Sequence, residues 1–184
     1  MRRTLLIGLL AIALLTVGAD PARAAIRWAV PAGGATFGTC TATVPCTLNQ
    51  AAIVAQGSDD IRVQSGTYQL SSPVVLNNVT VQGWPTDTLD DPPTILPPAG
   101  ATYGMSVLNG SVYDVRIQGT NTTDGALRVT GSTVERVTVE ASGAGSEAMV
   151  VRGNSAIEDS VAHSTGQGRS TSSVTCSRND WRCS

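Results

Sequence analysis

The chain has 184 residues, 12 basic and 14 acidic, with 14% charged and 4% aromatic side chains. A weakly acidic surface of this kind is not built to hold nucleic acid or anionic lipid. Few aromatics and an abundance of Gly, Ser, Thr, Asn and Val argue against a large helical core and for short β-branched strands joined by small-residue turns. Every basic residue is Arg and none is Lys, a hint of a GC-rich bacterial genome.

Met1-Arg2-Arg3 is a basic start, Leu5 to Val17 is apolar, and Ala22-Arg23-Ala24 is a small-x-small cleavage site. Together they predict a secretory signal peptide over 1–24, cut after Ala24. The apolar run is broken by Gly8 and falls short of the about 20 residues a spanning helix needs. No membrane span is therefore expected after cleavage. The mature chain, 25–184, would carry 9 basic and 13 acidic residues and be secreted, extracellular or held at the cell surface.

Residues 25–60 read as an N-terminal unit. Ala25 to Val30 is a short strand, and Gly33-Gly34 and Gly38 make a loop. Cys40 and Cys46 are expected to form a disulfide in an exported chain. A metal site is the weaker reading, because no His or second Cys pair lies nearby in sequence. Thr47-Leu48-Asn49-Gln50 has the form of a capping box, and Leu48, Ala51, Ala52 and Ala55 share a helical face. A short helix over 48–56, ended by Gly57, is predicted. It would cap the elements that follow.

Residues 61–164 carry a repeat. Met105-x-Val107, Asn109, Val112-x-x-Val115-x-Ile117 returns as Leu127-x-Val129, Gly131, Val134-x-x-Val137-x-Val139. It returns again as Met149-x-Val151, Gly153, Ile157-x-x-Ser160-x-Ala162, with steps of 22 or 23 residues. A fixed period in the low twenties marks a solenoid. Alternate residues point inward, and Gly or Asn at 109, 131 and 153 should fill one tight-turn column. Leu76-x-x-Val79-x-Val81 matches Val112-x-x-Val115-x-Ile117 at an offset of 36. That places an excess of 14 residues in the proline-rich stretch from Trp84 to Gly100, with Ile95 and Leu96 returning to the stack.

After His163 the pattern fails, and 165–184 is a polar tail. Either it is a polar cap closed by a Cys176–Cys183 disulfide, or the chain is a truncated product. The expectation here favours truncation, because an open last coil exposes an unpaired strand edge. Such an end could also stack on another β-helix end.

Pro45-Cys46-Thr47-Leu48-Asn49-Gln50-Ala51-Ala52, then Asp59-Asp60-Ile61-Arg62-Val63 and Gly66-Thr67-Tyr68, resemble the opening of secreted right-handed parallel β-helix proteins of the pectin-lyase-like superfamily. The repeat fits the same family. The resemblance implies an all-β, right-handed parallel β-helix of about 22 residues per coil under an N-terminal capping helix. It leaves activity open, since one fold hosts many functions.

Lyases of that superfamily set carboxylates for calcium beside a basic residue on one parallel sheet. The best column here is Glu135 over Glu158, flanked by Arg136 and Asp159, with Tyr113 and Asp114 one coil earlier. The plainer reading is a solvated bend in which Arg136 neutralises its acidic neighbours; no metal ligand set is assigned, and Ca2+ would enter only with the lyase reading. Asn121-Thr122-Thr123-Asp124-Gly125 resembles a hydrolase motif but carries an extra Thr, so Asp124 is read as a turn residue. His163, the only His, is expected at the surface. Trp84 could stack on a sugar ring, though packing the proline loop is the commoner use.

The expected function is therefore that of a non-catalytic extracellular or cell-surface module for adhesion or glycan contact, with extracellular polysaccharide or cell-wall glycan as its partner. A polysaccharide lyase or glycoside hydrolase fragment is the alternative, and a non-functional truncated product the third reading.

Overall fold

A computed structural model describes residues 24–85, 91–165 and 173–176, the last segment by its backbone alone. Strict alternation builds most of it. In β2 (Asp60–Gln64), β5 (Thr80–Trp84) and β9 (Arg116–Thr120), inward residues such as Ile61, Val63, Val81 and Ile117 are fully buried while their neighbours are not. A period of two with one apolar face makes a strand whose inner side must be covered.

The strands stack into three sheets. The first orders β1 (Ile26–Ala29), β2, β5, β8 (Ser111–Tyr113), β11 (Thr133–Glu135) and β14 (Ala156–Glu158). The second orders β3 (Thr67–Gln69), β6 (Thr94–Leu96), β9, β12 (Thr138–Ser142), β15 (Ser160–Thr165) and β16 (Ser173–Cys176). The third orders β4 (Val74–Asn77), β7 (Met105–Leu108), β10 (Leu127–Thr130) and β13 (Met149–Arg152). Every pairing is parallel except β15 with β16. One strand per sheet per turn is a parallel β-helix.

The core is three columns of aligned side chains. Ile61, Val81, Val112 and Val134 stack in the first sheet. Ile95, Ile117, Val139 and Ala162 stack in the second. Leu76, Val107 and Val129 stack in the third. Each such buried branched side chain contributes about 1.5–3 kcal/mol. Met149 and Val151 face the same way but are only partly covered, because no third-sheet strand follows β13 among the described residues.

One register differs from the sequence reading. Leu76 pairs with Val107 and Val81 with Val112, steps of 31 residues rather than 36. The excess over a 22-residue coil is nine residues, all between Val81 and Ile95; Ile95 precedes Val107 by the same 12 residues that separate Ile117 from Val129. The cause is a degeneracy of the coil. Val-x-Val words follow both the third-to-first and the first-to-second corner, so Val79-Thr80-Val81 and Val115-Arg116-Ile117 look alike while belonging to different sheets.

Left-handed residues mark those corners. Ser58, Asn78, Asn109, Gly131 and Gly153 (φ 74°, 55°, 52°, 59° and 62°) form the first column, before the first sheet. Asp114, Arg136 and Asp159 (φ 54°, 53° and 45°) form the second. At Gly131 a Cβ would lie 2.9 Å from Asn109 Oδ1 on the previous coil, so glycine serves both the conformation and the close approach.

The cap is α1 (Leu48–Val54), two residues shorter than predicted, which buries Leu48 and Ala51 against the core. Thr47 Oγ1 accepts from Gln50 N–H. The reciprocal half of the capping box is absent: Gln50 Nε2 donates to the Gly38 carbonyl at 3.5 Å, and Thr47 N–H is already taken by the Ala35 carbonyl. The Cys40–Cys46 disulfide is present. Tyr68 is buried, with its hydroxyl 2.9 Å from the Ala29 carbonyl and 2.7 Å from that of Gln64, tying β3 to β1.

At the far end, Ser160 replaces the Val of earlier coils without losing burial. It is 1% exposed; its hydroxyl accepts from Val137 N–H and donates to the Glu158 carbonyl. The edge of β15 is not open, because β16 pairs with it antiparallel, Ser160 opposite Cys176 and His163 opposite Ser173. Among the described residues the open-edge argument therefore applies only to the first and third sheets. Cys183 and the Cys176 side chain lie outside the described residues.

Candidate functional site

Because inward positions on the first sheet are filled by Ile61, Val81, Val112 and Val134, the intervening residues must face out. They align in one ladder: Trp28 beside Arg62, Arg62 beside Gln82, Gln82 beside Tyr113, Tyr113 beside Glu135, Glu135 beside Glu158. At about 4.8 Å per coil, the ladder runs roughly 24 Å. All six side chains are half-buried.

The N-terminal half is aromatic and basic. The Arg62 guanidinium lies 4.3 Å from the Trp84 ring centroid and 5.4 Å from that of Trp28. The two indoles meet edge to face at 5.8 Å, the arrangement the ring quadrupoles favour. Arg62 Nε also donates to Asp60 Oδ2 at 3.3 Å. Trp84 thus packs on the coil itself, and its neighbours in this cluster, Trp28 and Arg62, were not singled out from sequence. Alternation alone would have found them: Trp28 precedes buried Ala29, and Arg62 lies between buried Ile61 and Val63.

The C-terminal half is an ion cluster. Arg136 Nε reaches Asp114 Oδ1 at 2.6 Å and Nη2 reaches Oδ2 at 3.0 Å, while Nη1 contacts Glu135. Hydrogen bonding to Asp114, with the charges of Asp114 and Glu135, holds the Arg136 guanidinium protonated even more firmly than usual, against the opposing effect of burial. Glu135 and Glu158 are register partners as expected, and Asp159 is exposed at the corner beyond. This donor set does not suit calcium, which takes six to eight oxygens: Asp114 and Glu135 already serve a cation. Among the described residues no three His, Cys, Asp or Glu side chains converge on a metal site.

The remaining residues lie elsewhere. Asp124 pairs with Arg128 at 3.0 Å and Arg152 at 3.1 Å beside the third sheet. His163 lies beside Glu140 on the second, where Glu140 accepts from Gln118 at 2.8 Å. Among the described residues no helix is long and apolar enough to cross a membrane.

These parallel three-sheet coils define a right-handed parallel β-helix. The chain is similar to the crystal structure of pectate lyase Pel9A, with a TM-score of 0.52 at 14% identity over 73% of this chain. It spans 38% of that protein's length. No family model and no curated protein matches.

Proposed function

We propose that this is an extracellular glycan-contacting protein that lays an extended saccharide along the outer face of the first sheet without cleaving it. The observation that carries this reading is the Trp28–Arg62–Trp84 cluster aligned in register with Gln82, Tyr113, Glu135 and Glu158. Aromatic rings offer apolar faces for pyranose C–H groups. Amide, phenol and carboxylate groups one coil apart offer hydrogen bonds at a spacing close to one sugar residue. A non-catalytic role is favoured because a general base must be free to accept the proton leaving the reacting carbon, and Arg136 is bound to Asp114 and Glu135, which hold it protonated. Glycan-array and cell-wall pull-down experiments with the exported protein test it; no retention on any polysaccharide at high protein concentration would count against it.

The second reading, a lyase or hydrolase using Glu135, Arg136, Glu158 and Asp159, draws on the pairing of Glu135 with Glu158 and on the fold shared with a pectate lyase. It requires product from pectins or uronans with calcium, lost in Glu158→Ala. Unchanged turnover in that variant would remove these residues from the chemistry.

A further inference from the structure

Asp59 is a buried carboxylate that the glycan face does not use. It is 4% exposed, at the end of the chain's cap and just ahead of β2. Oδ1 accepts from the Ala25 backbone nitrogen at 2.8 Å. Oδ2 accepts from Arg27 Nε at 3.0 Å and from Gln56 N–H at 3.0 Å. Arg27 is fixed in turn by the Thr39 carbonyl at 2.8 Å. The neighbouring Asp60 carboxylate turns away, to Arg62. The pocket therefore presents one carboxylate, one guanidinium and the nitrogen of Ala25. Ala24, the residue before it, is exposed.

Ala25 is also the residue that follows the small-x-small site Ala22-Arg23-Ala24. We propose that Asp59 is a receptor for the chain's own new N-terminus: cleavage between Ala24 and Ala25 turns the amide at this spot into an α-ammonium that completes an ion triad with Asp59 and Arg27 and locks β1 to β2. Water supplies the hydroxyl to the Ala24 carbonyl and a proton to the Ala25 nitrogen as the C–N bond breaks. The acid so formed passes its proton to the amine, giving carboxylate and ammonium. An export peptidase catalyses the hydrolysis, and nothing else is consumed. The bond from an amide N–H to the Asp59 carboxylate becomes an ammonium–carboxylate ion pair, with charge on both partners rather than on the acceptor alone, while Ala24 leaves toward solvent. The site needs no glycan, and it stands or falls apart from the proposed function.

The chain has no lysine, so the α-amine is the sole primary amine after export, and amine-selective labelling reads it alone. The full 184-residue chain is exported from a bacterial host, and its product is examined by intact mass, N-terminal sequencing and reductive dimethylation with labelled formaldehyde at pH 7.5. The expected product begins at Ala25. Its folded amine labels about tenfold more slowly than the same amine in urea, the effect of a pKa raised by one unit. Asp59→Asn restores the unfolded rate. Because that variant could fail to fold, a second form with a Gly-Ser dipeptide inserted between Ala24 and Ala25 keeps Asp59 and moves the amine outward; it labels at the free rate. A different first residue, or equal rates folded and unfolded, overturns the proposal.

Discussion

Arg136 grips Asp114 across one coil of the helix, two guanidinium nitrogens on two carboxylate oxygens at 2.6 and 3.0 Å. Both residues occupy the left-handed corner column between the first and second sheets. The Asp114 side chain is only 8% exposed, whereas that of Arg136 is 34% exposed. Removing Arg136 leaves a buried carboxylate without its cation. Arg136→Ala is expected to cost about 1–2 kcal/mol, less than a fully buried pair because Arg136 is partly solvated. In a double-mutant cycle by urea unfolding, Asp114→Ala on that background should cost less than it does alone. Strict additivity would mean the pair stabilises nothing.

The core columns make a graded prediction. Ile117 is fully buried between Ile95 and Val139, so Ile117→Ala should cost about 2–5 kcal/mol. Ile157, in the last coil of the first sheet, is only half-buried. Ile157→Ala should cost less than half as much. Equal losses by urea denaturation would contradict the ordering of the coils.

The columns and the corner glycines are readable because each is dictated by a period, two along a strand and 22 along the coil, and the cap because its N-cap threonine and helical face are local. What was misread has a physical cause. The β5 register slipped because two corners of one coil use the same Val-x-Val word. Ser160 departs from the Val of the earlier coils, yet it is a buried hydroxyl satisfying the Val137 N–H, and hydrogen bonding leaves no periodic trace. Alternation marks Trp28 and Arg62 one by one as outward-facing, but the Trp28–Arg62–Trp84 cluster joins three strands, β1, β2 and β5, so only the register between coils brings them together.

Asp59 sets a pH dependence. Burial alone would raise its pKa, but the N–H groups of Ala25 and Gln56 and the Arg27 guanidinium outweigh burial and lower it. A lowered carboxylate contributes stability that is present above its unfolded pKa of about 3.9 and is lost as pH falls through the folded value. The melting temperature of the wild type should therefore fall more steeply below about pH 4 than that of Asp59→Asn. Parallel curves from pH 6 to about pH 3 would remove Asp59 from the acid response.

Tyr68 offers a test of the cap's attachment. Its hydroxyl meets the Ala29 and Gln64 carbonyls in a buried setting that also pushes the phenol's pKa upward. Tyr68→Phe leaves those acceptors short of a donor and should cost about 1–2 kcal/mol. A neutral result in thermal unfolding would mean that water replaces the hydroxyl.

Saccharide binding along the first sheet is tested most directly by calorimetric titration of the exported protein with soluble cell-wall oligosaccharides, comparing Arg62→Ala with Arg116→Ala. Each substitution removes one half-buried, outward-facing arginine, Arg62 from the first sheet and Arg116 from the second. Loss of the guanidinium from between Trp28 and Trp84 should weaken Kd about tenfold or more, the scale of a desolvated cation–π contact. Arg116→Ala should leave Kd unchanged. Equal effects of the two variants, or no saturable binding by the wild type, would contradict a glycan site on that face.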